Sequence, residues 1–229
     1  MIGEAYRGVD GYVAEADLGL GCGLPTEVAG LAPGQTVVDL GAGAGNDAFI
    51  ARRIVGERGR IIGVDMTQAM VAKARLNAQR MGYGNVEFLL GELERLPLPE
   101  GVADVVLSNC VFNLVPDKAQ AFREVLRILK PGGHFSISDI VSTRPLPARL
   151  LEVAALYTGC VAGALPLAEY LRLISETGFV NVELRQKRAI DIPDAVLEQH
   201  LSGAEFADWR ASGLAILSVT LWGERPGGV

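Results

Sequence analysis

Between Val37 and Asp65 the chain reads as a strand, a glycine turn, a helix and a second strand, and no other stretch limits the fold so narrowly. Val37-Val38-Asp39-Leu40 is apolar enough for a buried strand and runs straight into Gly41-Ala42-Gly43-Ala44-Gly45. Glycines there let the backbone pass close to a ligand, and the helix expected over Asn46 to Val55 offers unbonded N–H groups at its start. The second strand, Arg60 to Asp65, ends in an acid placed to grip ribose hydroxyls. This arrangement points to a nucleoside-containing cofactor.

The alternation continues along the chain. Thr67 is placed to cap, through its hydroxyl, a helix running to about Met81. Asn85–Leu90, Ala103–Asn109 and His134–Val141 read as further strands. Asp117 and Gln120 have capping-box spacing and open a helix that stops before Lys130-Pro131-Gly132-Gly133. Nearly continuous apolar strands separated by helices predict an α/β fold, a mostly parallel sheet with helices on both faces. Helices are then expected over about Pro147–Tyr157 and Leu167–Thr177, and late strands over Asn181–Ile190 and Ile216–Glu224. The expected organisation is one domain over 1–229. A cofactor-binding core occupies 34–141, a small cap on the sheet edge 142–180, and strands completing the sheet 181–226.

Charge narrows the partners. The 21 Lys and Arg face 27 Asp and Glu, a net charge of −6, which disfavours a phosphate backbone as partner. No apolar run approaches the roughly 18 residues of a membrane span, and the first ten residues lack a basic start. The expectation is a cytoplasmic protein with neither nucleic acid nor membrane as partner. Charge also selects the cofactor. The dinucleotide fingerprint G-x-G-x-x-G fails at Asn46, and Asp39, two residues before the first glycine, would repel a pyrophosphate but attract an ammonium. S-adenosyl-L-methionine carries an ammonium, a sulfonium and a carboxylate, and no phosphate.

The stretch VVDLGAGAGNDAF with Asp65 resembles the S-adenosyl-L-methionine site of the class I methyltransferases, whose fold is Rossmann-like. Gly91–Pro97 (GELERLP) is similar to that family's adenine-edge segment, and LKPGG (129–133) to its turn before strand five. The resemblance implies that Asp39, Gly41 and Gly43 face the methionine moiety, that Asp65 holds the ribose and that Met66 lies under the adenine. The backbone of Leu93 with a carboxylate of Glu92 or Glu94 would read the adenine edge. Asn109 would line the methyl-transfer side.

Cys22, Cys110 and Cys160 are the only cysteines, odd in number and without a C-x-x-C pair, so they suit neither a disulfide framework nor structural zinc. Taken singly, each reads more readily as a small buried residue. Cys110, however, directly follows the fourth strand, and strand carboxyl ends point into the ligand crevice of such a sheet. Gly21-Cys22-Gly23-Leu24-Pro25, Ser108-Asn109-Cys110-Val111-Phe112-Asn113-Leu114 with Pro116-Asp117-Lys118, and Gly159-Cys160-Val161 with Gly163-Ala164 resemble the arsenite methyltransferases, as does GLAILSVTLWGERP (213–226). That resemblance spans about Gly19 to Pro226. It implies a transferase of arsenic detoxification in which trivalent arsenic, a soft centre, is held by the thiolates of Cys22, Cys110 and Cys160. It also implies a thiol reductant such as glutathione or thioredoxin. Arsenic's lone pair has no proton to lose, so no general base is required, and neither His134 nor His200 lies in a motif. Many family members carry a further cysteine upstream; this chain has none before Cys22. Two other readings stay open, a methyltransferase of a small organic acceptor such as a quinone precursor, and a non-catalytic thiol protein that binds As(III). Tyr6 and Tyr12 suit either closure over the cofactor or packing. Lys118, Arg123, Arg127 and Lys130 read as a solvated helix face.

Overall fold

Strand β1 (Thr36–Leu40) is apolar on both sides because it lies inside a sheet covered on both faces, and Val37, Val38 and Leu40 are fully buried. In the computed structural model, which describes residues 6, 8–146, 161 and 163–228, the sheet has seven strands. They are β2 (Arg60–Asp65), β3 (Val86–Leu90), β4 (Ala103–Asn109), β5 (Leu129–Ser142), β6 (Val180–Ile190), β7 (Ile216–Glu224) and β1, ordered β3-β2-β1-β4-β5-β7-β6. Strands β1 to β5 pair in parallel, and β7 runs antiparallel to both β5 and β6. The chain therefore has the mostly parallel α/β architecture expected from its alternation. Strand order reverses between β1 and β4, and the crevice at that switch point brings the glycine turn after β1 beside Asn109 and Cys110.

The pleat divides the core. Val37 belongs to one buried cluster with Phe49, Ala51 and Val55 of α2 (Asn46–Val55) and Val71 and Ala74 of α3 (Gln68–Arg80), after the short α1 (Pro25–Val28). Val38 and Leu40 join the opposite cluster with Phe122 and Val125 of α4 (Lys118–Ile128) and Tyr170 and Ile174 of α5 (Leu167–Thr177). Phe122 stacks on Phe112 at 4.4 Å between centroids and meets Tyr170 edge-on at 5.8 Å. Helices α6 (Asp194–His200) and α7 (Gly203–Ser212) precede β7. The helix expected over Pro147–Tyr157 lies outside the described residues, as does Cys160. Among the described residues no helix is long and apolar enough to cross a membrane.

Three local details differ from the sequence reading, each because a nearer or stronger partner wins. The Thr67 hydroxyl caps nothing; Asp65 accepts the Thr67 N–H at 2.8 Å instead. Asp117 accepts the Gln120 N–H at 2.9 Å, but the Gln120 amide donates to the Glu94 carbonyl at 3.1 Å, leaving half a capping box. Lys130–Gly133 is not a turn ahead of β5 but an excursion within it. Leu129 pairs with Ala103 and His134 with Val105, and the register shift absorbs the residues between. The basic side chains near α4 are spent on structure: Arg127 binds Glu124 and the Leu96 and Leu98 carbonyls, and Lys130 meets Asp104 at 2.7 Å.

Candidate functional site

Two loops close together make the site. Gly41, at φ 67°, is where the chain leaves β1, and a Cβ there would sit 2.2 Å from Cγ2 of Val111. Only glycine lets this turn reach the segment after β4. The Gly43 N–H donates to Asp65 at 2.9 Å, so two backbone amides orient the Asp65 carboxylate. A cavity of about 360 Å³ opens here, and Asp39, Gly41, Gly43, Asp65, Met66, Glu92, Leu93, Glu94 and Asn109 all line it. Met66, 70% exposed, offers an apolar surface to a flat ring. Glu92 and Glu94 both reach the lining, so the structure brings the two alternative adenine acids to one edge.

The electrostatics are one-sided. Six acidic residues line the cavity (Asp17, Asp39, Asp47, Asp65, Glu92 and Glu94), with no Lys, Arg or His among the described lining residues. The Asp39 carboxylate is buried and accepts the Ala48 N–H, while its Oδ2 has no partner among the described residues. Burial, then Asp47 and Asp65, holds the Asp39 pKa well above the usual carboxylate range. Asp47, in the first turn of α2, is pushed up to about 6, chiefly by burial, and accepts from the Tyr6 hydroxyl at 2.6 Å and the Asn109 amide at 3.1 Å. Such a cavity suits a ligand with net positive charge and an ammonium that can meet Asp39; a pyrophosphate would be repelled. These residues fit S-adenosyl-L-methionine.

The raised carboxyls set a pH dependence. A carboxyl whose folded pKa exceeds its unfolded value binds its proton more tightly when folded, so the stability it contributes is lost as pH rises through the folded pKa. Asp39, Asp47 and Asp139, the last pushed up to about 7 chiefly by burial, all have this sign. The thermal midpoint of the ligand-free protein is expected to fall as pH rises from about 5 to 8, with a shallower slope in Asp47→Asn. A midpoint rising over that range in circular dichroism melts would contradict this assignment.

Cys110 is the cysteine at the cavity wall, and Cys22 lies behind it, lining a second pocket with Gly23, Ser218 and Thr220. Cys110 lines the cavity directly after β4, at φ 60°, with its N–H bonded to the Ser138 carbonyl at 2.8 Å. A left-handed backbone is costly for a residue other than glycine, and such strain clusters at functional sites. Cys22 is drawn in by Asn109, whose carbonyl accepts the Cys22 N–H at 3.0 Å, and by Ser218, whose hydroxyl donates to the Cys22 carbonyl at 2.6 Å. Its glycine neighbours have a reason: a Cβ on Gly23 would lie 2.6 Å from the Ser138 hydroxyl, and one on Gly21 2.8 Å from the Tyr6 ring. The Sγ atoms of Cys22 and Cys110 and a carboxylate oxygen of Asp139 all lie within 4.8 Å of one another, and all three residues are buried. Cys160 lies outside the described residues; the next residue in the chain, Val161, is buried in one cluster with Cys22 and Cys110.

Asn109 lines the cavity as a strut as well as a wall. Its amide donates to Tyr6, to Asp47 and to the Gly23 carbonyl, so it ties the N-terminal segment to the end of β4. Tyr6 is buried at the cavity, whereas the Tyr12 hydroxyl donates to Asp17 at 3.0 Å. Asp47 and Asp139 were missed by sequence reasoning. The signal for Asp139 was present, the one charged residue in the strand stretch Phe135–Val141.

Residues 31–178 match the family described as a methyltransferase domain. An arsenite methyltransferase of Halobacterium salinarum is 48% identical over 172 residues, 75% of this chain and 44% of that protein. An arsenite methyltransferase of Homo sapiens is 34% identical over 214 residues, 90% of this chain and 56% of that protein. The crystal structure of an arsenic(III) S-adenosylmethionine methyltransferase from Chlamydomonas reinhardtii aligns with a TM-score of 0.75 at 37% identity, covering 88% of this chain and 66% of that one. The chain spans about half the length of the curated relatives it matches.

Proposed function

The chain belongs to the methyltransferase-domain family, and from that premise we propose that it moves a methyl group from S-adenosyl-L-methionine to trivalent arsenic held by cysteine thiolates. One observation carries the proposal: two buried thiols lie within 4.8 Å of each other, and one of them, Cys110, lines an acidic cavity suited to a cationic nucleoside. The names of the relatives, arsenite methyltransferases at 34–48% identity, support it. Residues 34–141, 142–180 and 181–226 are read as core, cap and late strands of one such domain.

When bound, the cofactor supplies a methyl carbon made electrophilic by its sulfonium. The chain's own residues then do the rest. Asp39 would meet the ammonium, Gly41 and Gly43 would let the backbone approach the methionine moiety, and Asp65 would take the ribose hydroxyls. Met66 would lie under the adenine, whose edge Leu93 and Glu92 or Glu94 would read. Cys22 and Cys110, with Cys160 as third thiol, replace arsenic's hydroxyls and leave its lone pair directed at the cavity. Catalysis is then chiefly alignment, an effect that can supply about 7–11 kcal/mol. Oxidised arsenic or oxidised thiols would be returned by a thiol reductant such as glutathione or thioredoxin.

Asp65→Ala is expected to weaken cofactor binding by about 1.5–3 kcal/mol through lost hydrogen bonds to a charged acceptor. An unchanged dissociation constant by calorimetry would contradict the ribose role. The function itself is tested by following S-adenosylhomocysteine release with and without As(III). Release that depends on arsenic is expected. Release without arsenic, driven by a quinone precursor or another small organic acceptor, would replace this reading. Arsenic binding with no release at all would make the chain a binding protein.

A further inference from the structure

We propose that Asp139 is the oxygen side of the arsenic site, where it holds the last hydroxyl of arsenic after Cys22 and Cys110 have replaced the other two and before the third thiol, Cys160, replaces it. This rests on the arsenic reading above. Asp139 is buried, and its carboxylate lies within 4.8 Å of both Sγ atoms. Its place is set by the sheet: Cys110 N–H bonds to Ser138, the residue before it, and Asp139 itself pairs with Val219 of β7. Its orientation is set as well. The Ile140 N–H donates to Oδ1 at 2.9 Å, the Tyr170 hydroxyl to Oδ2 at 3.2 Å, and the Asn113 N–H also binds the carboxylate.

A carboxylate has roughly four acceptor positions, so these three donors leave capacity for one more. An acid so rigidly held, beside two thiols in an otherwise apolar cluster of Ile140, Val161 and Ile216, is expensive as packing. It is well suited to receive an O–H from a ligand seated on the two sulfurs.

The chemistry balances without redox change. Each thiol proton leaves with a departing hydroxyl as water, so two As–O bonds break, two As–S bonds form, and arsenic stays trivalent. The remaining As–O–H donates to Asp139, which fixes rotation about the two As–S bonds and aims the lone pair. Asp139 is therefore a positioning residue that discriminates between ligands. Arsenous acid on two thiolates keeps a hydroxyl for Asp139 to hold. Methylarsonous acid on the same two thiolates keeps only a methyl.

The test is binding, read without turnover, in the Cys160→Ser protein so that no third thiol competes. Equilibrium dialysis with arsenic counted by mass spectrometry would give affinities for arsenous and methylarsonous acid. Adding Asp139→Asn is expected to weaken arsenous acid about 10- to 100-fold and methylarsonous acid by less than about two-fold. Equal losses for both ligands, or no loss for arsenous acid, would overturn the assignment. So would failure of Cys160→Ser to hold arsenous acid while wild type does. Wild type that binds neither ligand would instead remove the arsenic reading itself. Should Asp139→Asn not fold, Tyr170→Phe loosens the same carboxylate; it is expected to give a smaller loss, about three-fold, again confined to arsenous acid.

Discussion

Cys110→Ser is expected to lower arsenic methylation by about 100-fold or more while S-adenosyl-L-methionine still binds. Serine keeps the shape but replaces a soft sulfur by a hard oxygen, which exchanges with arsenic's own hydroxyls and cannot anchor it. The backbone cost at φ 60° is common to both residues, and the Cys110 N–H bond to Ser138 is independent of the side chain. The variant should fold, and its thermal midpoint should stay within a few degrees of wild type. Turnover and cofactor calorimetry on the same preparation separate the two functions. Full methylation activity would remove the thiol mechanism and turn attention to an organic acceptor.

Asp39→Asn should show two opposite effects at once. Oδ2 of Asp39 is buried and without a partner among the described residues, and Asp47 and Asp65 add like charge nearby. In the ligand-free protein this charge is a liability, and an amide of the same shape keeps an acceptor for the Ala48 N–H. The melting temperature is therefore expected to rise. Breaking a buried pair typically costs about 3–5 kcal/mol, so affinity for the cofactor's ammonium is expected to fall by about 100-fold or more. A stabilised protein that no longer binds cofactor identifies a residue kept for its ligand. A destabilised protein with unchanged affinity would make Asp39 structural.

Much of this was legible because the relevant physics is local. Apolar runs bounded by glycine fix β1, β2, β4 and β7, and Asn46–Val55 and Leu167–Thr177 are helices with the boundaries their periodicity sets. The glycine turn and the acid that ends β2 face one cavity because a parallel sheet puts its strand ends there. What stayed hidden was set by distant partners. Asp47 is held by Tyr6, 41 residues away, and Asn109 reaches 87 residues back to Cys22, contacts that no periodicity encodes. Asp139 meets the thiols only because β5 lies in register beside β4 and the Cys22 segment is bound across both. Thr67 and Gln120 had the right spacing for caps, but Asp65 and the Glu94 carbonyl competed successfully.

The most direct measurement uses S-adenosyl-L-methionine carrying a deuterated methyl group, As(III) and glutathione, with products separated and identified by mass spectrometry. The account predicts the intact trideuteromethyl group on arsenic, with one S-adenosylhomocysteine formed per methyl. Label recovered only in an organic acceptor, or unmethylated arsenic beside protein that demonstrably binds the cofactor, would contradict it.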